Sequence, residues 1–206
     1  MAGALLVTGF EPFGDYQRNP SSEVLAHCPS HLAAWPVCTA VLPVSYRAAA
    51  RQLATLLERG DWAAVLMLGL AGSSTAWRIE TVARNRNGDL PDNDGLALPG
   101  EAVLAGEPDT LPTALPALAI RETLRARGIA AELSEDAGGY LCNFMFFRLM
   151  AWARQRSPHL VGGFVHMPPL SEDADGLASL ERHVAGLHGV LQAVTEHLPA
   201  SRQVVG

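Results

Sequence analysis

The 206-residue sequence lacks several features that would direct it to particular partners. Its net charge is -6 and it contains no Lys/Arg cluster, which argues against a nucleic acid or an anionic membrane as partner. No apolar run approaches the roughly 18 residues that span a bilayer, and MAGALLVTGF lacks the basic segment of a signal peptide. The cysteines are few and odd in number: Cys28, Cys38 and Cys142. We therefore expect free thiols and a cytoplasmic location.

Motifs for the common cofactor and metal sites are also missing. The sequence has no P-loop, no GxGxxG after its first strand, no HExxH and no CxxC pair. It also lacks the GxSxG motif of serine hydrolases. We therefore expect neither a cofactor nor a metal ion.

The hydrophobic residues that are present make up 49% of the chain, enough for a sizeable core. Short β-rich runs alternate with segments of helical periodicity, ending in an amphipathic helix at about residues 175–197. This alternation predicts an α/β fold with a mainly parallel twisted sheet. Because no repeat, linker or composition break is visible, we expect one domain over residues 1–206. AWRIETVA predicts a single half-buried strand, and the Pro/Gly-rich stretch 84–112 predicts a functional loop or an insertion.

Three residues in this pattern could do chemistry together. Cys142 follows GGYL at the start of an apolar helix, where first-turn N–H groups favour a thiolate and could hold an oxyanion. His166 ends a buried strand, from which it could take the proton of the thiol. Glu80 lies within a strand between Trp77 and Val82 and could orient the histidine.

Each of these residues also has a plainer interpretation. Cysteine is among the most buried residue types, so Cys142 could be an inert core residue. His166 could be a hydrogen-bonded histidine in a turn, and Glu80 could be an exposed strand residue paired with Arg78 or Arg84. If the three residues meet in space, however, the set has the logic of a thiol hydrolase.

Several motifs occur in a familiar order: LLVTGFEPFG with NPS, ETVARN with PDNDG, GGYLCN and GFVHMP. Together, from about Leu5 to Pro168, they resemble the pyroglutamyl peptidase I family of cysteine peptidases. The resemblance implies a three-layer α/β/α sandwich, often in a cytosolic homo-oligomer, a dimer or tetramer. It also implies removal of an N-terminal pyroglutamyl residue from peptides through an acyl-enzyme, without a cofactor. In that reaction Cys142 is the nucleophile, His166 the base and then the acid, and Glu80 the orienting carboxylate.

The resemblance further implies a pocket for the pyroglutamyl lactam. Its walls would be Phe10, Phe13, Leu90, Tyr140 and Leu141. Apolar and aromatic walls suit a flat, uncharged lactam, whereas a free amino terminus would bring an unpaired charge into the pocket. From the sequence alone, Phe10 and Phe13 could equally well cap the core beneath their loop.

Two other functions are compatible with such a scaffold. A lactam-binding protein would keep the fold without the chemistry, but it has no need of all three candidate residues. A phosphorylase-like nucleoside enzyme would need a phosphate cradle, and the sequence offers no convincing one.

The chain also departs from the family at Asp89, where many members carry an arginine. Arg84 or Arg86 is the expected replacement.

Overall fold

Seven strands form the central sheet of the computed structural model, which describes residues 3–170 and 176–198. In chain order, the strands of the described residues are β1 (Ala4–Phe10), β2 (His31–Leu32), β3 (Trp35–Leu42), β4 (Trp62–Leu70), β5 (Trp77–Glu80), β6 (Val82–Arg84), β7 (Thr110–Pro112), β8 (Ala131–Ser134) and β9 (Val161–Met167). The central sheet has the order β2-β3-β1-β4-β9-β5-β8. Its pairs are parallel except for β2–β3 and β9–β5. The predicted mainly parallel sheet is thus confirmed, with β5 antiparallel to β9.

Helices cover both faces of this sheet. They are α1 (Pro20–Glu23), continued by a 3-10 turn, α2 (Tyr46–Arg59), α3 (Ala117–Ala126), α4 (Leu141–Arg156) and α5 (Gly176–Glu196). One hydrophobic cluster packs α2 and α4 on one face, and a second packs α3 and α5 on the other, which confirms the three layers. Residue 175, where the sequence predicts the last helix to start, lies outside the described residues. No helix in the described part of the chain is long and apolar enough to cross a membrane.

Strand alternation decides which side chains meet α4. Successive residues of a strand point to opposite faces of a sheet. In β9, Phe164 belongs to the α2/α4 cluster and Val165 to the α3/α5 cluster, so His166 shares the α4 face with Phe164. In β5, Ile79 belongs to the α3/α5 cluster. Glu80 therefore lies on the α4 face, opposite to Ile79 as the sequence predicts.

The prediction of one continuous strand in AWRIETVA is wrong, because the chain changes sheets at Thr81. β5 ends at Glu80, and β6 starts at Val82 and pairs with β7 in a separate two-stranded sheet. Both the backbone N–H and the hydroxyl of Thr81 donate to the Ser134 carbonyl, at 2.7 and 2.8 Å. Thr113 N–H donates to the Thr81 carbonyl at 2.8 Å. These contacts with distant segments determine the break, and they bring the 84–112 stretch next to α4.

Candidate active site

Glu80 and His166 form a buried pair on the α4 face of the sheet. Nδ1 of His166 lies 2.8 Å from Oε1 of Glu80. Glu80 is fully buried and His166 is 5% exposed, so the carboxylate needs the hydrogen bond that the histidine supplies. Because Nδ1 is engaged with Glu80, Nε2 is the ring nitrogen that remains for another partner. The alternative of an exposed Glu80 does not hold.

Cys142 is the second partner of His166. It is the second residue of α4 and is half-buried. Its Sγ lies only 3.0 Å from where a Cβ on Gly69 would be, and Gly69 is the residue of β4 directly opposite His166. Burial lowers the pKa of His166, but the electrostatic attraction and hydrogen bond of Cys142 and the contact with Glu80 together raise that pKa to about 9. The structure thus brings together all three residues singled out in the sequence.

The glycine pair before Cys142 explains how the helix reaches this position. Gly138 has a φ of +80°, a left-handed conformation that side chains disfavour, and its N–H donates to Oδ1 of Asp136. A Cβ on Gly139 would lie 3.0 Å from the Gly88 Cα, so the two backbones can only approach closely without it. The tight turn delivers Tyr140 to the start of α4. Its side chain does not cap the helix, so first-turn N–H groups can face the site.

Asn143 is an anchor that the sequence analysis did not identify. It is 1% exposed, and its Oδ1 accepts a hydrogen bond from Arg84 N–H at 2.8 Å. Its Nδ2 donates to the carbonyls of Arg84 and Arg86, at 2.8 and 3.1 Å. The first turn of α4 is therefore fastened to β6 immediately beside Cys142. The sequence does show an amide side chain directly after the cysteine in GGYLCN, ahead of an apolar run, and this could have identified Asn143.

A narrow apolar cavity opens beside Cys142. It is lined by Phe10, Phe13, Asn19, Val44, Leu70, Tyr140, Leu141 and Cys142. Phe10 is only 3% exposed and its ring lies 6.3 Å from that of Phe164, so it belongs to both the core and the cavity wall. The half-buried Phe13 ring lies between those of Tyr16 and Tyr140, at 5.6 and 5.9 Å.

Leu90, the remaining residue expected in the pocket, has a side chain that is 62% exposed and outside the cavity wall. Its carbonyl accepts a hydrogen bond from the Tyr46 hydroxyl at 3.3 Å, and the Pro91 carbonyl accepts one from Tyr140 at 3.2 Å. Burial, with smaller contributions from nearby charges, raises the pKa of Tyr140 and brings that of Tyr46 to about 12. Both phenols therefore stay neutral donors that hold this segment to the pocket.

Arg78 is the cation in contact with the buried pair. Its Nε lies 3.8 Å from Oε1 of Glu80, and its Nη2 donates to Oγ of Ser134 at 2.7 Å. Arg84, one of the two arginines expected near the site, instead donates to the Glu135 carbonyl at 2.9 Å. Strand alternation could have identified Arg78, because it lies two residues before Glu80 and so faces the same side.

The other cysteines lie in different surroundings. Cys38 is exposed, and burial raises the pKa of Cys28 to about 11, which keeps it a thiol at neutral pH. Within residues 3–170 and 176–198, no three His, Cys, Asp or Glu side chains form a group that could hold a metal ion.

Comparison with known proteins agrees with this geometry. The family model described as Pyroglutamyl peptidase matches residues 4–197. A pyrrolidone-carboxylate peptidase of Gloeobacter violaceus is 40% identical over 86% of this chain and 88% of its own length. One of Coprothermobacter proteolyticus is 33% identical over 94% of this chain and 98% of its own.

Solved structures give the same result. The pyroglutamyl peptidase I of Bacillus amyloliquefaciens superposes with a TM-score of 0.88 at 28% identity, covering 96% of this chain and 97% of its own. A mutant pyrrolidone carboxyl peptidase of Pyrococcus furiosus superposes with a TM-score of 0.89 at 28% identity, covering 95% and 100%. The resemblance seen in the motifs is thereby confirmed, and the chain belongs to the pyroglutamyl peptidase family.

Proposed function

We propose that this chain is a cysteine exopeptidase that removes an N-terminal pyroglutamyl residue from peptides. Cys142 is the nucleophile, His166 the acid and base, and Glu80 the carboxylate that orients the histidine. The observation that carries the proposal is the 2.8 Å contact of Glu80 with a histidine that also forms a side-chain hydrogen bond with Cys142. The names of the relatives support the same activity.

The first half of the reaction transfers the pyroglutamyl group to the enzyme. The Cys142 thiolate attacks the carbonyl carbon of the pyroglutamyl residue, and the first-turn N–H groups of α4 hold the resulting oxyanion. When the C–N bond breaks, the protonated His166 gives its Nε2 proton to the departing amine. The shortened peptide leaves with a free amino terminus, and the pyroglutamyl group remains as a thioester on Cys142.

The second half of the reaction restores the enzyme. His166, now neutral, takes a proton from a water molecule as the water oxygen attacks the thioester carbon. The C–S bond breaks, pyroglutamate leaves, and the thiolate–imidazolium pair of Cys142 and His166 forms again. Throughout, Glu80 keeps the Nδ1 proton of His166 in place, so Nε2 faces the reacting atoms.

The cavity beside Cys142 suits the lactam. Its walls are apolar or aromatic except for Asn19 and Cys142, with Phe10, Phe13, Tyr140 and Leu141 among them. A flat, uncharged lactam ring loses little on leaving water for such walls. A prolyl terminus carries an ammonium group that would lose its hydration there without gaining a partner. We propose Leu90 as a further wall residue that can contribute its exposed side chain when a peptide is bound.

The setting of the enzyme is part of the same proposal. Three free cysteines, among them a candidate nucleophile, favour a reducing compartment, and we propose the cytoplasm.

We also propose that the chain is a single catalytic domain over residues 1–206 and that it forms a homo-oligomer, a dimer or a tetramer. Light scattering on a sizing column measures the oligomer. A single cooperative unfolding transition is expected for one domain.

Hydrolysis of a chromogenic pyroglutamyl amide, beside the matching prolyl and glutaminyl amides, tests the activity. We expect cleavage of the pyroglutamyl compound alone and its loss after treatment with iodoacetamide. Cleavage of the prolyl amide at a similar rate would refute the lactam specificity. A folded, reduced sample that cleaves none of the three would refute the enzyme and favour a lactam-binding protein.

A further inference from the structure

Arg78 lies on the same face of the sheet as the candidate triad. In strand register it is opposite His166 on β9 and opposite Glu132 on β8. Its Nε lies 3.8 Å from Oε1 of Glu80, the oxygen that also contacts His166. The second carboxylate near Nε, on Glu132, lies at 3.8 Å too, but its side chain is 56% exposed. The buried charge of Glu80 is therefore shared between a guanidinium and an imidazolium.

The contact between Arg78 and Glu80 is incomplete as it stands. Nε of Arg78 and Oε2 of Glu80 are buried, and neither has a hydrogen-bond partner among the described residues. Such unsatisfied groups are costly, and a shift of about 1 Å would bring Nε within hydrogen-bonding distance of the carboxylate. Glu80 can thus tighten its contact with Arg78 while His166 changes its charge during the reaction.

The far end of the guanidinium holds the segment that leads to Cys142. Nη2 of Arg78 donates to Oγ of Ser134 at 2.7 Å and to the Asp136 carbonyl at 3.0 Å. Oδ1 of Asp136 in turn accepts the N–H of Gly138, in the turn immediately before α4. One side chain therefore connects the strand that carries the carboxylate to the loop that precedes the helix of the nucleophile.

We propose that Arg78 is a positioning residue that balances the charge of Glu80 and couples it to the loop at residues 134–138, which leads to Cys142. The positive charge of Arg78 offsets part of the negative charge of Glu80. Glu80 then stabilises the His166 imidazolium less strongly, so the imidazolium is a better proton donor to the leaving amine. The charged and titratable groups that face it are Glu80, Glu132 on β8 and His166 on β9, with Cys142 on α4 reached through His166. The inference rests on the proposed function, and nothing in the mechanism above depends on it.

The first test measures kcat and KM for the pyroglutamyl amide across pH in Arg78→Met and Arg78→Lys. In Arg78→Met no cation offsets the charge of Glu80, so Glu80 stabilises the His166 imidazolium more strongly. The pH at which kcat/KM falls on the alkaline side should therefore rise by about half a pH unit or more. At neutral pH kcat falls about tenfold or more, with KM nearly unchanged, because a charge-assisted contact is lost near the reacting groups.

Arg78→Lys separates the two parts of the role. Lysine keeps the charge, but its single ammonium nitrogen cannot face Glu80 as Nε does and also reach Ser134 and Asp136 as Nη2 does, so the pH profile should stay close to wild type while kcat still falls. Arg121→Met is the matched control, because Arg121 pairs only with its exposed neighbour Glu122 in the described structure and lies on α3, which covers the other face of the sheet. Its pH profile and kcat should match those of the wild type.

The second test does not require turnover. The rate at which iodoacetamide alkylates Cys142, followed by peptide mass spectrometry across pH, reports the thiolate–imidazolium pair directly. We expect its alkaline inflection to move up in Arg78→Met, as in the kinetic test. If Arg78→Met does not fold, Arg78→Lys is the deciding variant. A kcat of Arg78→Lys within about twofold of wild type would overturn the coupling of Arg78 to the loop before Cys142.

The outcomes separate this inference from the proposed function. A wild-type enzyme that cleaves the amide, with superimposable kinetic and alkylation profiles in Arg78→Met, overturns the role of Arg78 and leaves the function standing. A wild-type protein that cleaves nothing, but whose alkylation profile shifts in Arg78→Met, overturns the function and supports the coupling of Arg78 to His166.

Discussion

Replacing Glu80 with glutamine removes the carboxylate charge and leaves the shape of the side chain. In the wild type Glu80 is fully buried, and its Oε1 lies 2.8 Å from Nδ1 of His166. Glutamine can still accept the Nδ1 hydrogen bond, but the bond is no longer charge-assisted. A hydrogen bond to a charged group contributes about 1.5–3 kcal/mol and a neutral one about 0.5–1.5 kcal/mol, so the loss of roughly 1–1.5 kcal/mol corresponds to a fall of about 5-fold to 13-fold in kcat/KM.

The same substitution changes the pH dependence in a defined direction. Burial lowers the wild-type pKa of His166, but Cys142 and then Glu80 raise it to about 9, so the imidazolium persists below that pH. The wild-type kcat/KM should therefore fall as pH rises through about 9, because the leaving amine then lacks its proton donor. Without the Glu80 charge the pKa of His166 falls, and the loss of activity should begin at lower pH.

Steady-state hydrolysis of the pyroglutamyl amide across pH measures both effects. Glu132→Gln is the matched control, because Glu132 also lies 3.8 Å from Nε of Arg78, yet it is 56% exposed and does not contact His166. It should remain within about twofold of wild type, as surface ion pairs contribute little. An alkaline limb in Glu80→Gln that coincides with the wild-type limb would refute the role of Glu80.

Three further substitutions test the nucleophile and the pocket. Cys142→Ala should abolish turnover while thermal unfolding stays close to wild type, and substantial remaining activity would exclude Cys142. Phe13→Ala should lower kcat/KM by about 5-fold to 150-fold, or about 1–3 kcal/mol, because the ring packs against two aromatic neighbours at the cavity; an unchanged value would make Phe13 a core residue only. Gly69→Ala would place a methyl group 2.7 Å from the Phe164 ring and 3.0 Å from Sγ, so we expect at least about tenfold loss in kcat. Gly162→Ala, with no contact under 3.4 Å, is its control and should be tolerated.

Local patterns in the sequence are sufficient to predict most of the fold. β4 is recognisable because a continuous apolar run is typical of a strand buried on both faces. α2 is recognisable because Ser45 caps its start and Gly60 follows its end. The reversal of β5 against β9 could not be predicted, since the apolar pattern of a strand is the same in either direction. The break at Thr81 was also hidden, because it depends on pairing with β7 near the end of the 84–112 stretch.

The residue types of the site could be predicted, but their contacts could not. A cysteine at a helix start, a histidine at a strand end and a carboxylate within a strand are each visible in the sequence. That Cys142 Sγ lies over Gly69 depends on the register of β4 with β9 and on the packing of α4, which are tertiary properties. The anchoring of Asn143 to residues 84 and 86 is non-local in the same way.

The central claim is that Cys142 attacks a bound pyroglutamyl carbonyl. The most direct measurement is labelling with a pyroglutamyl chloromethyl ketone, followed by peptide mass spectrometry of all three cysteines and by the residual activity. Our account predicts one adduct, on Cys142, formed in step with the loss of activity, and no labelling by the prolyl analogue. Inactivation with the label on Cys28 or Cys38, or equal labelling of Cys142 by the prolyl compound, would contradict it.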